Sequence, residues 1–209
     1  MQPGRSLGRA SPGEVALPRA DAESKERPAT THLSVVDAEG NAVALTSSIE
    51  DSFGSRILAA GALLNNQLTD FSFAPEREGR PVANRVQGGK RPLSSMAPTM
   101  VFDREGALLA VLGSPGGANI INYVARTLVG LIDWRLPPAQ VLAMPNFGSR
   151  NGPTLLEASA DDGLGRELEA LGHEVVRADM TSGIHLILRT PSGWVGAADP
   201  RREGEVRGE

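Results

Sequence analysis

The chain contains no cysteine. This excludes a disulfide framework, thiol catalysis and zinc–thiolate sites, and it leaves the compartment open. Aromatic residues are scarce, with one Tyr, two Trp and five Phe in 209 residues. With few rings to stack on bases, and with Lys and Arg scattered rather than clustered, nucleic-acid binding is not expected. Three histidines, at positions 32, 173 and 185, lie too far apart for a metal-ligand spacing, so no metal or other cofactor is expected. No stretch approaches the roughly 20 apolar residues of a membrane span. Met1-Gln2-Pro3-Gly4-Arg5 leads into no apolar run of the kind that marks a secretion signal. The formal net charge is only −4, which points to no polyanionic or polycationic partner.

What is present fits one globular domain, with 40% hydrophobic and 22% charged residues. Residues 1–29 hold four Pro, three Gly, five basic and four acidic residues, with few large apolar side chains. Such a segment buries too little apolar surface to offset its ordering entropy, and it is expected to be a flexible linker. The catalytic or binding domain is therefore expected over 30–209. From Thr30 to Asp37 the sequence is β-rich, Ala38-Glu39-Gly40-Asn41 reads as a turn, and 42–49 reads as the return strand. Residues 50–61 and 71–91 read as loops around a short 63–71 segment. A second hairpin is expected at 97–102 and 108–112.

The clearest helix covers about 119–134, with apolar residues at 120, 121, 124, 128, 131 and 132 on one stripe and Asn119 as a candidate N-cap. Pro137-Pro138 stops it. Shorter helices are expected at 138–143 and at 164–171, the latter ended by Gly172. Segments 175–176, 184–188 and 194–195 read as closing strands. Hairpins first and helices later predict an α+β fold with a largely antiparallel sheet.

Four features carry possible chemistry. Thr30-Thr31-His32 stands where the linker meets the first strand. A mid-chain Thr hydroxyl has nothing to take its proton, whereas at a chain N-terminus its own α-amine can act as base. Two β-branched residues also simply start a strand, and the dipeptide alone does not rise above that explanation. Gly113-Ser114-Pro115-Gly116-Gly117 lets backbone N–H groups approach an anion or oxyanion at a helix start, or makes a tight strand-to-helix turn. The paired hydroxyls of Ser94 and Ser95 suit a carboxylate, or local turn bonding. Gln67 and Asp70, three apart, can converge on one ammonium or form a solvated polar face.

The order of these elements is more specific than any one of them. Thr-Thr-His-x-Ser-Val-Val-Asp at 30–37 is followed by Leu-Leu-Asn-Asn-Gln-x-x-Asp-Phe-Ser at 63–72. Lys-Arg-Pro-Leu-Ser-Ser-Met-x-Pro-Thr at 90–99 and Gly-Ser-Pro-Gly-Gly at 113–117 complete the series. This closely resembles the small catalytic subunit of the γ-glutamyltransferases (glutathione hydrolases). The likeness runs from 30 to about 200, ending in Ala197-Ala198-Asp199-Pro200-Arg201, and 1–29 would hold the tail of the large subunit.

The resemblance implies an N-terminal nucleophile hydrolase, with an αββα sandwich of which this chain is the small-subunit part. It implies that a proenzyme cuts itself before Thr30, and that the new N-terminal threonine attacks a γ-glutamyl amide such as glutathione. Water or an acceptor amino acid or peptide then resolves the γ-glutamyl-enzyme. By the same likeness Ser48 stands where a hydroxyl supports the nucleophile, and Gly116 and Gly117 form the oxyanion hole. Ser94 and Ser95 hold the substrate α-carboxylate, and Gln67 and Asp70 hold its α-ammonium. Ser48 stands where the usual residue is Thr, and Glu50 stands where the family often has Asn. The large subunit would supply an Arg for the α-carboxylate, so the chain is expected to need that partner. Export to the periplasm or cell surface is likewise implied by the family alone. Two other readings stay open at this level: an acylase of the same fold acting on glutaryl or cephalosporin-type amides, and a non-catalytic fragment without its large subunit.

Overall fold

A computed structural model describes residues 29–208, so the expected linker lies outside the described residues except for Ala29. Strands β1 (Thr30–Val36) and β2 (Ala42–Ser48) form the first hairpin, paired from Thr30↔Ser48 to Val36↔Ala42. Its turn closes because Asp37 accepts from both the Asn41 backbone and side-chain nitrogens, each at 2.8 Å, while Gly40 takes φ 86°. Two-residue ribbons follow, β3 (Leu58–Ala59) with β4 (Ala62–Leu63) and β5 (Glu76–Arg77) with β6 (Arg80–Pro81). Between the ribbons Gln67–Asp70 makes a single 3-10 turn.

The second half holds the main sheet. β7 (Thr99–Phe102) and β8 (Leu108–Gly113) lead into a 3-10 turn at Gly117–Asn119 and then α1 (Ile120–Ile132). α2 (Pro138–Ala143), β9 (Phe147–Ser149), β10 (Thr154–Glu157), α3 (Asp162–Ala170) and β11 (Val175–Ala178) follow. β12 (His185–Thr190) and β13 (Gly193–Ala198) close the chain and build an antiparallel sheet in the order β13-β12-β8-β7.

Alternation along β8 explains the layering. Ala110 and Leu112 face Ile120, Tyr123, Val124 and Leu131 of α1 and Val141 and Leu142 of α2, and these form one buried core. The odd positions of β8 face the other way, toward the β1–β2 hairpin. There Gly113 lies so close to the buried His32 ring that an added Cβ would meet Cε1 at 2.2 Å. Helices, sheet and hairpin thus stack as three layers of an αββα arrangement, in an α+β fold. On the hairpin's outer face Leu33 pairs with Leu45 and Val35 with Val43, and all four are 42–49% exposed.

The structure corrects several expectations. β9 and β10 were not anticipated, and β10 pairs parallel with β11 across α3, so the smaller three-stranded sheet is mixed rather than antiparallel. The first long helix ends at Ile132 rather than 134. Asn119 makes no side-chain cap bond, because its own backbone is helical (φ −76°, ψ −10°) and the preceding 3-10 turn starts the helix instead. The side-chain cap belongs to α3, where Asp161 Oδ1 accepts from Gly163 N at 2.7 Å.

Candidate active site

The hairpin register decides the first contact. Thr30 and Ser48 are opposite one another, and Thr30 Oγ1 donates to Ser48 Oγ at 3.1 Å. Ser48 Oγ also accepts from Glu50 N at 3.0 Å and donates to the carbonyl oxygen of Ala29 at 3.3 Å. One hydroxyl therefore touches both the Thr30 side chain and the carbonyl of the peptide bond before it.

Thr30 and Ser48 line a cleft with Glu50, Gln67, Asp70, Leu93, Ser94, Ser95, Met96, Gly117 and Ile120. Eight of the nine residues singled out from the sequence are among them. Gly116 is not a lining residue. It lies at φ 135° with the buried Tyr123 ring beneath it, 2.5 Å from where a Cβ would stand, so only glycine fits there. The other side of this loop is fixed by Ser114, whose Oγ donates to Pro115 O at 2.6 Å and accepts from Gly183 N at 3.1 Å.

Two carboxylates, Glu50 and Asp70, line the cleft. Glu50, 9% exposed and at φ 70°, accepts from Asn66 Nδ2 and from Thr69 Oγ1 at 3.1 Å. Gln67 Nε2 donates to Asp70 Oδ2. Burial pushes the Asp70 carboxyl above its ordinary range and Glu50 adds to this, while the Gln67 bond opposes it. Two carboxylates converging here favour a cationic ligand group. Asn66, which ties Glu50 to the 3-10 turn, was missed in the sequence, although it stands inside the Leu-Leu-Asn-Asn-Gln motif. Ser94, also in the lining, is exposed, and its Oγ accepts from Met96 N at 3.3 Å. Ser95 is half-buried.

Behind Thr30, two histidines distant in sequence come together. His32 is 2% exposed, bonded to Thr46 Oγ1 at 2.7 Å and Ser34 Oγ at 3.1 Å, and its pKa is lowered to about 4 by burial and then by His185. His185 Nδ1 in turn donates to His32 O at 2.7 Å, tying β12 to β1. Beneath the glycine loop, Ser182 Oγ donates to Asp199 Oδ2 at 2.5 Å, and Arg201 pairs with both Asp199 (3.2 Å) and Glu157 (2.9 Å). Burial opposes ionisation of Glu157, but Arg201, the Asn146 N–H and Ser159 outweigh it and hold its carboxyl below the ordinary range. Among the described residues no group of His, Asp or Glu is arranged to hold a metal ion.

A family profile described as Gamma-glutamyltranspeptidase matches residues 7–209. The chain belongs to this family. It is 41% identical over 186 residues to the glutathione hydrolase proenzyme of Escherichia coli, which covers 82% of this chain and 31% of that protein. It is 34% identical over 179 residues to an acylase ACY 1 proenzyme of Pseudomonas sp., covering 84% and 31%. The chain thus spans about a third of the length of the curated relatives it matches. Among solved structures, the gamma-glutamyltranspeptidase of Pseudomonas nitroreducens complexed with L-DON matches at 31% identity with a TM-score of 0.74, covering 86% of this chain and 99% of that one. The T380A mutant of the Helicobacter pylori family member matches at 33% identity and a TM-score of 0.71, covering 82% and 100%.

Proposed function

We propose that this chain is the catalytic part of a γ-glutamyl hydrolase and transferase whose nucleophile is Thr30, freed by self-cleavage after Ala29. The observation that carries the reading is the shared cleft: Thr30 and Ser48 sit in it with two carboxylates, Glu50 and Asp70, and two serines, Ser94 and Ser95. That set of groups suits an α-amino acid head group, with the ammonium on the carboxylates and the carboxylate on the serines.

In the uncut chain, Thr30 Oγ1 attacks the Ala29 carbonyl carbon while Ser48 accepts its proton and donates to the carbonyl oxygen. The C–N bond breaks as the C–O ester forms, the nitrogen leaves protonated, and water then hydrolyses the ester. The freed α-amine becomes the base for the same hydroxyl, which now attacks the γ-glutamyl amide. Backbone N–H groups of Gly116 and Gly117 stabilise the oxyanion, a contribution of about 3 kcal/mol per donor in comparable sites. Loss of the leaving amine gives a γ-glutamyl ester on Thr30, and water or an acceptor amine releases the product.

A large-subunit partner is part of this proposal. The outer apolar face formed by Leu33, Val35, Val43 and Leu45 lacks the fourth layer of the sandwich, and the relatives are about three times longer. Residues 1–29 are read as the end of that subunit and 30–209 as the catalytic domain.

The acylase relatives favour a second reading, in which the acyl group lacks an amine. The two carboxylates argue against it, since such a group gains nothing from them. The test compares γ-glutamyl and glutaryl anilides in protein carrying the large-subunit segment. Turnover should favour the γ-glutamyl substrate, and Asp70→Ala should weaken that substrate selectively, by about ten- to a hundredfold for one lost charged hydrogen bond. Equal turnover of both anilides by the parent protein sinks the γ-glutamyl reading in favour of the acylase.

A further inference from the structure

Two segments with little regular structure supply the polar groups of the cleft. Gln67 and Asp70 belong to the single 3-10 turn at Gln67–Asp70. Leu93, Ser94 and Ser95 belong to residues 91–98, which form neither helix nor strand. All five line the cleft. Between the two segments the chain runs out through the β5–β6 ribbon and returns, so connectivity alone does not set their spacing.

One side chain bridges them. Asn84 Nδ2 donates to Asp70 O at 2.6 Å, and Asn84 Oδ1 accepts from Leu93 N at 3.1 Å. Both partners are backbone groups of cleft-lining residues, while Asn84 lies outside the lining. A carbonyl only accepts and an N–H only donates, so this pairing admits one orientation of the amide. The backbone beneath the amide is itself tied down. Ser72 N donates to Asn84 O at 2.8 Å, and Ser72 pairs with Arg85 in a single parallel bridge. Arg85 N then closes a turn on the carbonyl of Val82, which is 2% exposed. The amide thus joins the turn to the serine segment from a fixed base.

An α-amino acid head group carries its ammonium and carboxylate on one carbon. The groups that receive them must therefore stand at one separation, and hydrogen bonds weaken outside a window of about 0.5 Å. A plain acid makes no such demand, because it engages one segment only.

We propose that Asn84 is a positioning residue for substrate selection. It sets the spacing between the Gln67–Asp70 turn and the segment holding Leu93, Ser94 and Ser95, and so favours acyl donors with an ammonium and a carboxylate on the same carbon. The inference rests on the γ-glutamyl reading and adds a residue to it.

The test uses protein carrying the large-subunit segment, with rates expressed per cut chain, and compares γ-glutamyl and glutaryl anilides. Asn84→Asp is nearly isosteric and keeps the acceptor for Leu93 N, but its ionised side chain cannot donate to Asp70 O. It should raise KM for the γ-glutamyl anilide about three- to tenfold, as for one lost neutral hydrogen bond, with kcat within about twofold. Asn84→Ala loses both bonds and should raise KM at least as much. The glutaryl anilide should keep its kcat/KM within about twofold of the parent value, so the preference for γ-glutamyl shrinks. A merely structural role would instead lower both substrates together. If Asn84→Ala does not fold, Asn84→Asp decides. An unchanged KM, a loss confined to kcat, or a parallel loss on both anilides overturns the proposal. A parent protein that turns over both anilides equally is a separate result: it removes the γ-glutamyl reading, and the selection assigned to Asn84 with it.

Discussion

Gly113→Ala probes how Thr30 is held in place. The added methyl would sit 2.2 Å from His32 Cε1 and 2.4 Å from Nδ1, far inside the 3.4 Å of ordinary contact. The ring cannot swing aside cheaply, since it is rigid, buried and bonded to Thr46 and Ser34. Either the hairpin lifts off β8, or His32 leaves and gives up two hydrogen bonds. Overpacking of this kind costs about 1–3 kcal/mol, and each lost neutral bond adds about 1 kcal/mol. The expected loss is therefore roughly 2–5 kcal/mol, a large part of a typical domain's stability. Lifting β1 also moves Thr30 away from the glycine loop, so self-cleavage should slow in parallel. Denaturant unfolding of the parent, Gly113→Ala, His32→Ala and the double variant measures the coupling directly. The double variant should be more stable than the sum of the singles by about 1–3 kcal/mol, because removing the ring makes room for the methyl. Strict additivity, or a Gly113→Ala variant within about 0.5 kcal/mol of the parent as for a neutral surface change, would refute this account of the interlayer contact.

The His32 environment also predicts acid sensitivity. Its folded pKa of about 4 lies below the ordinary imidazole value of 6.5, so the unfolded chain binds the extra proton more readily. This stability is fully present above about pH 6.5 and is lost as pH falls toward 4, by about 3 kcal/mol in all at 1.36 kcal/mol per unit. Unfolding of His32→Gln measured between pH 7 and 4 should show a shallower slope, and an unchanged slope would assign the acid loss elsewhere. Ser48→Ala removes the donor to Ala29 O and should slow conversion to two polypeptides by about a hundredfold or more, as for a lost oxyanion donor. Ser48→Thr should retain it, and unchanged processing of Ser48→Ala on a denaturing gel would remove Ser48 from the cleavage step.

Much of the fold was legible where one period held. The β1–β2 hairpin alternates cleanly around an Asp37–Asn41 turn, and α1 carries an unbroken apolar stripe. β9 and β10 were not legible. Phe147-Gly148-Ser149 has a glycine at its buried centre between exposed ends, and Thr154–Glu157 is largely buried throughout, so neither shows an apolar–polar alternation in sequence. In the site, the motifs announced the residue types, while the register of the hairpin set which hydroxyls touch. His32 and His185 meet across 153 positions of sequence, a juxtaposition created by layer packing that no local pattern encodes. Arg126 lies within an otherwise ordinary amphipathic helix, and the packing of α2 against α1, where its Nη1 donates to Val141 O at 3.0 Å, leaves it a buried cation at 4% exposure.

The central claim is that Thr30 becomes the acylated residue. The direct measurement is mass spectrometry of protein carrying the large-subunit segment, quenched in acid during turnover of a γ-glutamyl anilide. The account predicts a polypeptide that begins at Thr30 and bears a γ-glutamyl ester on that residue, and a Thr30→Ala protein that stays in one piece without adduct. An adduct on any other residue, or a Thr30→Ala protein that is still cut and acylated, would contradict it.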